Sequence, residues 1–173
     1  TSNLRGVVHA AGVLDDGMLM HQSPKRFLKV AGPKVSGAWN LHIQTKDLPL
    51  DFFVLFSSVA SIIGSPGQSN YAAANAFMDG LAHHRKHQGL VATSINWGPW
   101  SDVGMAASDV VLQRLMKDGW QPMNASQGCD FIGHLLKVCK LPQAAVLPVD
   151  WRQFAMSIPG AVNWNILSHL VSK

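Results

Sequence analysis

Asp51-Phe52-Phe53-Val54-Leu55-Phe56-Ser57-Ser58 is apolar at nearly every position instead of at alternate ones. A strand with one wet face alternates, so this run predicts a central strand covered on both faces. After it, a Gly/Ser/Pro loop is expected over residues 61–69, then an Ala-rich helix over 70–88 that ends at Gly89. Before it, a first strand is expected over 4–9, closed by Ala10-Ala11-Gly12, where small residues permit a close approach to the backbone. Between the two, a helix should start with Ser23 as cap and Pro24 at the first position, bend near Gly32-Pro33 and reach about Gln44.

The remainder continues the alternation. Strands are expected over 91–96 and 144–149, a short amphipathic helix over 108–119, and a helix capped by Ser126 running to about Lys140. Strands alternating with helices at this spacing predict an α/β fold, a doubly wound parallel sheet with right-handed crossovers. No glycine-rich phosphate loop follows an early strand, so the sheet is expected to be incomplete at its N-terminus, with that half preceding residue 1. Residues 1–155 are expected to form the catalytic part of one domain and 156–173 a C-terminal linker.

Composition excludes several classes. The chain has 173 residues, 47% hydrophobic and 14% charged, enough for one domain with a real core and too apolar for disorder. Its apolar runs are strand-length, and Thr1-Ser2-Asn3-Leu4-Arg5 lacks a signal-peptide pattern, so a cytoplasmic location is the expectation. A formal charge of +4, with basic residues dispersed, suits a solvated surface and at most a weak preference for an acidic partner. Cys129 and Cys139 fit neither a redox pair nor a zinc site and are expected to be helix-core thiols. The run His83-His84-Arg85-Lys86-His87 is expected to be a solvated helix end whose cations complement the dipole, not a metal site. The six tryptophans are expected to serve packing and a lid.

Three polar residues stand where a parallel sheet places its ligands. Ser58 ends the expected central strand, and Tyr71 and Asn75 are four apart on one face of the next helix. A serine hydroxyl and a phenol facing a cofactor cleft suit proton donation to a carbonyl oxygen. A nearby ammonium would lower the phenol pKa by stabilising phenolate, and Lys34 on the preceding helix is the candidate. Taken singly, each has a plainer reading: Ser58 as a strand-end cap, Tyr71 as packing at a helix start, Asn75 as a buried amide, Lys34 as a surface lysine. Their spacing joins them.

Ser58 followed thirteen residues later by Tyr71, within Tyr71-Ala72-Ala73-Ala74-Asn75, resembles the short-chain dehydrogenase/reductase superfamily. That superfamily more often has lysine where Asn75 stands. Asn75 there, with Lys34 twenty-four residues before Ser58, resembles the ketoreductase domains of modular polyketide synthases. The same resemblance runs through Val7-Val8-His9-Ala10-Ala11-Gly12-Val13-Leu14-Asp15-Asp16, Val54-Leu55-Phe56-Ser57-Ser58, Asn96-Trp97-Gly98-Pro99-Trp100 and Val146-Leu147-Pro148-Val149-Asp150-Trp151, covering residues 4–155.

The resemblance implies NADPH-dependent reduction of a β-ketoacyl thioester held on an acyl carrier protein, beside other domains of one synthase. It implies that Tyr71 protonates the forming alkoxide, Ser58 binds the carbonyl oxygen, Lys34 holds the nicotinamide ribose and Asn75 orders the proton relay. Ala10, Ala11 and Gly12 would lie near the adenosine side, Gly98 and Pro99 along the nicotinamide, and residues 101–119 would form a substrate lid. Leu14, Asp15 and Asp16, with Ile63 and Gln68, would govern substrate fit and stereochemistry and give a D-configured alcohol. Ala73, where epimerising variants carry proline, implies no epimerisation. Three alternatives stand beside this reading: the reductase of a multidomain fatty acid synthase, a stand-alone short-chain dehydrogenase, and a non-catalytic structural subdomain. Lys34, outside the Tyr-x-x-x-Lys position, speaks against the second, and Tyr71 against the third.

Overall fold

A computed structural model of the chain describes residues 4–103, 109–138 and 140–171. They fall into two compact units, Thr1–Trp97 with Val138–Ala145, and Gly98–Lys137 with Val146–Lys173. The sheet contains β1 (Gly6–His9), β2 (Phe52–Ser58), β3 (Thr93–Trp97) and β4 (Gln143–Val146), in the order β1-β2-β3-β4. β2 pairs parallel with β1 on one side and with β3 on the other. The decisive apolar run is therefore a central strand. Phe53 and Leu55 are buried in one core and Val54, between them, is buried on the opposite side.

The helices follow from local signals. Ser23 accepts a hydrogen bond from the Arg26 backbone N–H and Pro24 opens α1 (Pro24–Ala31), as expected from the cap-and-proline pair. The expected bend at Gly32-Pro33 is a π-helical turn, Gly32–Ser36, leading into α2 (Gly37–Thr45). Proline cannot donate to the helical ladder, and a wide turn absorbs that lost bond. Met78, Leu81 and Ala82 of α4 (Ser69–His87) pack with Ala38, Phe53 and Leu55. Burying each large side chain in this cluster stabilises the fold by about 1.5–3 kcal/mol. Gly89 ends the helix at φ +76°, a left-handed conformation that suits glycine. Across the first strand pair Gly6 faces Phe52, and an added Cβ would lie 2.1 Å from the Phe52 ring.

Several expectations need correction. The loop after β2 opens with a short helix, α3 (Ala60–Ile63), before its glycine turns at Gly64 and Gly67. Strand β3 begins at Thr93 and includes Trp97, a shift from the expected 91–96. Arg85 is not solvated: it is 1% exposed, stacks 3.9 Å over the Phe53 ring, and donates to the Val91 carbonyl and to His42 Nδ1. Burial and the adjacent Arg85 push His42 down, which keeps it a neutral acceptor. His83, His84 and His87 are exposed as expected.

The second unit holds α5 (Asp109–Lys117), α6 (Ala125–Val138) and α7 (Trp151–Ser157). Ser126 lies inside α6 and is not its cap. Asn124 takes that place, its Oδ1 accepting from the Gln127 N–H while Gln127 Oε1 accepts from the Asn124 N–H, a reciprocal capping box. Cys129 is exposed and so is not a core thiol; Cys139 and the expected start at Ser108 lie outside the described residues. Asp150 caps α7 by accepting from the Gln153 N–H at 3.0 Å, an element absent from the expectation. Residues 156–171, expected as linker, carry two 3-10 turns, Ala161–Asn163 and Asn165–Leu167, with Ala161 and Leu167 buried. Among the described residues, no helix is long and apolar enough to cross a membrane.

Candidate active site

Ser58 stands at the C-terminal end of β2, half-buried, its Oγ accepting from the Ala60 N–H at 3.2 Å. Two glycine turns then return the chain to α4, whose first turns carry Tyr71 and Asn75. Asn75 is fully buried and donates from Nδ2 to the Tyr71 carbonyl at 2.8 Å. Its Oδ1 is buried with no partner, which leaves one acceptor unused. Asn70 fixes the start of the helix, Oδ1 accepting from the Tyr71 N–H and Nδ2 donating to the Asp15 carbonyl, both at 2.8 Å.

Lys34 is only 3% exposed, so the surface-lysine reading fails. The π-helical turn aims its chain inward, where Nζ donates to the Phe56 carbonyl at 3.0 Å and lies 5.2 Å from the centre of the Tyr71 ring. Gly12 makes room for it: a Cβ there would sit 2.9 Å from Lys34 Cε. Burial pushes Lys34 down to about 8, with the charge of Asp79 acting the other way. Tyr71 corrects an expectation. Its phenol is raised, because burial outweighs the opposing hydrogen bonding of Asn75 and Ser58. A raised phenol stays protonated at neutral pH, which is the state a general acid must start from.

The expected stereocontrol residues are tied into one loop pair. Asp15 Oδ1 accepts from Arg26 Nε at 2.8 Å and its Oδ2 pairs with Lys29 at 3.2 Å, which holds its carboxyl below the usual range. Arg26 also donates to the Asp16 carbonyl at 2.6 Å. Asp16 Oδ2 accepts from Gln68 Nε2 at 3.0 Å, and the Gly17 N–H donates to the Gly67 carbonyl at 2.8 Å. Leu14 and Ile63 are half-buried, whereas Ala10 and Ala11 are exposed and present little more than backbone. Gly98 and Pro99 belong to the second unit, where the Gly98 N–H donates to the Val146 carbonyl at 3.1 Å.

Sequence reasoning passed over two buried polar residues. Asp79, 7% exposed, accepts from Ser61 and Ser94 hydroxyls at 2.6 Å each and from Asn96 Nδ2 at 2.9 Å. It continues the Tyr71, Asn75 spacing by one more turn of the helix, a signal that was open to reading. His9, at the end of β1, is 7% exposed with Nε2 buried and unpartnered; burial chiefly, and Lys34 in part, push it down.

A nicotinamide cofactor fits what this unit offers: a buried ammonium, a glycine whose missing Cβ opens the approach to it, an orphaned buried acceptor, and exposed backbone at Ala10 and Ala11. A parallel sheet with its polar cluster at the strand ends defines the fold class, a nucleotide-binding fold of the short-chain dehydrogenase/reductase type. The KR-domain family model matches residues 1–102. The polyketide synthase GfsA of Streptomyces halstedii is 45% identical over 168 residues, 97% of this chain and 2% of that synthase. A solved structure of A-type ketoreductases from a modular polyketide synthase superposes with a TM-score of 0.84 at 40% identity, over 89% of this chain and 32% of that one. A C2-type ketoreductase from a modular polyketide synthase superposes at 0.80 with 29% identity, over 92% and 34%. The chain belongs to the KR-domain family, the ketoreductase domains of modular polyketide synthases.

Proposed function

We propose that this chain carries the catalytic residues for NADPH-dependent reduction of a β-ketoacyl thioester, presented by an acyl carrier protein, to the D-configured β-hydroxyacyl thioester. One observation carries the reading: a buried ammonium, a protonated phenol, a strand-end serine and a buried amide converge in one unit. When bound, the nicotinamide would supply hydride to the carbonyl carbon. Ser58 binds the carbonyl oxygen, and Tyr71 gives its proton to the alkoxide as negative charge develops there. Lys34 reduces the cost of the phenolate left behind, and Asn75 Oδ1 holds a water through which that phenolate regains a proton.

Ala10, Ala11, Gly12, Gly98 and Pro99 are proposed to contact the cofactor, and Leu14, Asp15, Asp16, Ile63 and Gln68 to orient the substrate. Structural likeness spans A-type and C2-type ketoreductases alike, so the stereochemical reading rests on Leu14-Asp15-Asp16 and Ile63. Residues 156–173 are proposed to lead out of the catalytic part, the other domains of the synthase to be its partners, and the cytoplasm its location. The test is reduction of a carrier-bound β-ketoacyl thioester by the full-length protein, with chiral analysis of the product. A D-alcohol formed with NADPH is expected; an L-alcohol overturns the stereochemical assignment, and no reduction overturns the reading.

A further inference from the structure

Ser58 is held in place by side chains as well as by the sheet. The register of β1 with β2 ends at His9 and Leu55, three residues short of Ser58. On the other side the Val59 N–H donates to the Trp97 carbonyl at 2.9 Å. The Ser58 carbonyl accepts from two side chains, Ser61 Oγ at 2.8 Å and Asn96 Nδ2 at 3.3 Å. A carbonyl at the end of a ladder needs partners of this kind. Asn96, on β3, is fully buried and its amide is fixed at both ends. Gln143 Nε2 donates to its Oδ1 at 3.0 Å, while its Nδ2 reaches Asp79 Oδ2 at 2.9 Å. The same Nδ2 lies 2.8 Å from Ser61 Oγ and 3.1 Å from Ser57 Oγ. Asp79 anchors the inner end, accepting from the Ser61 and Ser94 hydroxyls at 2.6 Å each.

The geometry points to Asn96, anchored by Asp79, as a positioning residue for Ser58: its amide ties the serine's carbonyl to a buried acceptor on α4, the helix that carries Tyr71. This rests on the reductase reading above. Tyr71, Asn75 and Asp79 follow one another at four-residue steps, so the anchor shares the helix face of the proposed acid. Strand end and acid are thereby linked through one amide. With no exposed surface, Asn96 offers nothing to a substrate, and its part is alignment. Alignment matters because a misplacement of about 1 Å can cost on the order of 10²-fold in rate. A network that only satisfied buried groups would matter equally with or without the Ser58 hydroxyl. One that positions Ser58 matters only while that hydroxyl is present.

Asn96→Ala removes the bridge and leaves Asp79 its two serine donors. The test is a double-mutant cycle in the full-length protein, Asn96→Ala with Ser58→Ala, read as kcat and KM for a carrier-bound β-ketoacyl thioester. Hydrogen exchange of the peptide spanning residues 57–62 is followed beside it by mass spectrometry. Asn96→Ala alone should lower kcat by about 10-fold and leave the KM for NADPH within about twofold. In the Ser58→Ala background the same change should lower kcat by less than about twofold, because the hydroxyl it aligns is gone. Exchange in 57–62 should quicken by about 10-fold while that of β1 keeps its rate. If Asn96→Ala does not fold, Ser61→Ala, which deletes the other contact to the same carbonyl, carries the cycle with the same expectations. Equal losses of kcat in both backgrounds, an unchanged kcat, or unchanged exchange in 57–62 overturns the proposal. Exchange needs no turnover. A wild type that does not reduce the thioester therefore strikes the reductase reading, while exchange still decides whether Asn96 holds Ser58.

Discussion

The ammonium of Lys34 lies over the ring of Tyr71, 5.2 Å from its centre. Its hydrogen bond goes to the Phe56 carbonyl of β2. Lys34 therefore meets the face of the Tyr71 ring, and burial is the largest influence on the phenol itself.

The charge that Lys34 is proposed to set against the phenolate disappears with the lysine's proton. Lys34 titrates at about 8, so kcat/KM for ketone reduction should fall as pH rises through 8. Lys34→Arg, which keeps its charge to far higher pH, should lose this alkaline limb even where its absolute rate is lower. A pH–rate profile in the full-length protein checks both.

The same titration leaves a mark on stability. Burial pushes folded Lys34 down to about 8 from the ordinary 10.5, so between these values the unfolded chain binds more protons than the folded one. Stability should therefore rise with pH across that window, and the penalty of burying the charge is fully present below it. The gain ascribable to Lys34 is on the order of 1–3 kcal/mol. Unfolding of wild type and Lys34→Met, compared at pH 8 and pH 10.5, should show this slope in the first only.

Gly12 reads the tightness of the lysine pocket. A Cβ at that position would stand 2.9 Å from Lys34 Cε and 3.5 Å from Nζ. Gly12→Ala should displace the ammonium and lower kcat/KM by about 10-fold or more, with stability reduced by only ~1–2 kcal/mol. Steady-state kinetics beside thermal melting separates the two effects.

Arg26 clamps the loop that is proposed to set the stereochemistry, holding the Asp15 carboxylate and the Asp16 carbonyl together. Arg26→Ala should loosen Asp15 and Asp16 without touching Tyr71. The ratio of D- to L-alcohol should fall by roughly fivefold, equivalent to ~1 kcal/mol of transition-state difference, while the overall rate changes less. Chiral chromatography of the product measures it.

Much of this architecture was legible in residues 51–58, because a continuous apolar strand has few places to go other than the middle of a parallel sheet. Ser23-Pro24, Gly32-Pro33 and Gly89 marked helix start, bend and end for reasons of backbone geometry that hold in any context. What stayed hidden was tertiary. Arg85 sits in a run of cations that looks solvated, and only the packed Phe53 ring and His42 show why it is buried. Asn124, the cap of α6, was passed over in favour of Ser126, since the deciding Gln127 contact is a matter of structure. Asp79 could have been found by extending the Tyr71, Asn75 face one turn. Its serine and asparagine partners lie on α3 and β3, distant in sequence.

The central claim is that Tyr71, the chain's single tyrosine, is the acid of a ketone reduction. Tyr71→Phe keeps the ring under Lys34 and deletes only the hydroxyl. Reduction of a carrier-bound β-ketoacyl thioester, followed as NADPH consumption by the full-length protein, should fall by about 10²- to 10⁴-fold with the fold retained. Reduction at the wild-type rate by Tyr71→Phe would contradict the account.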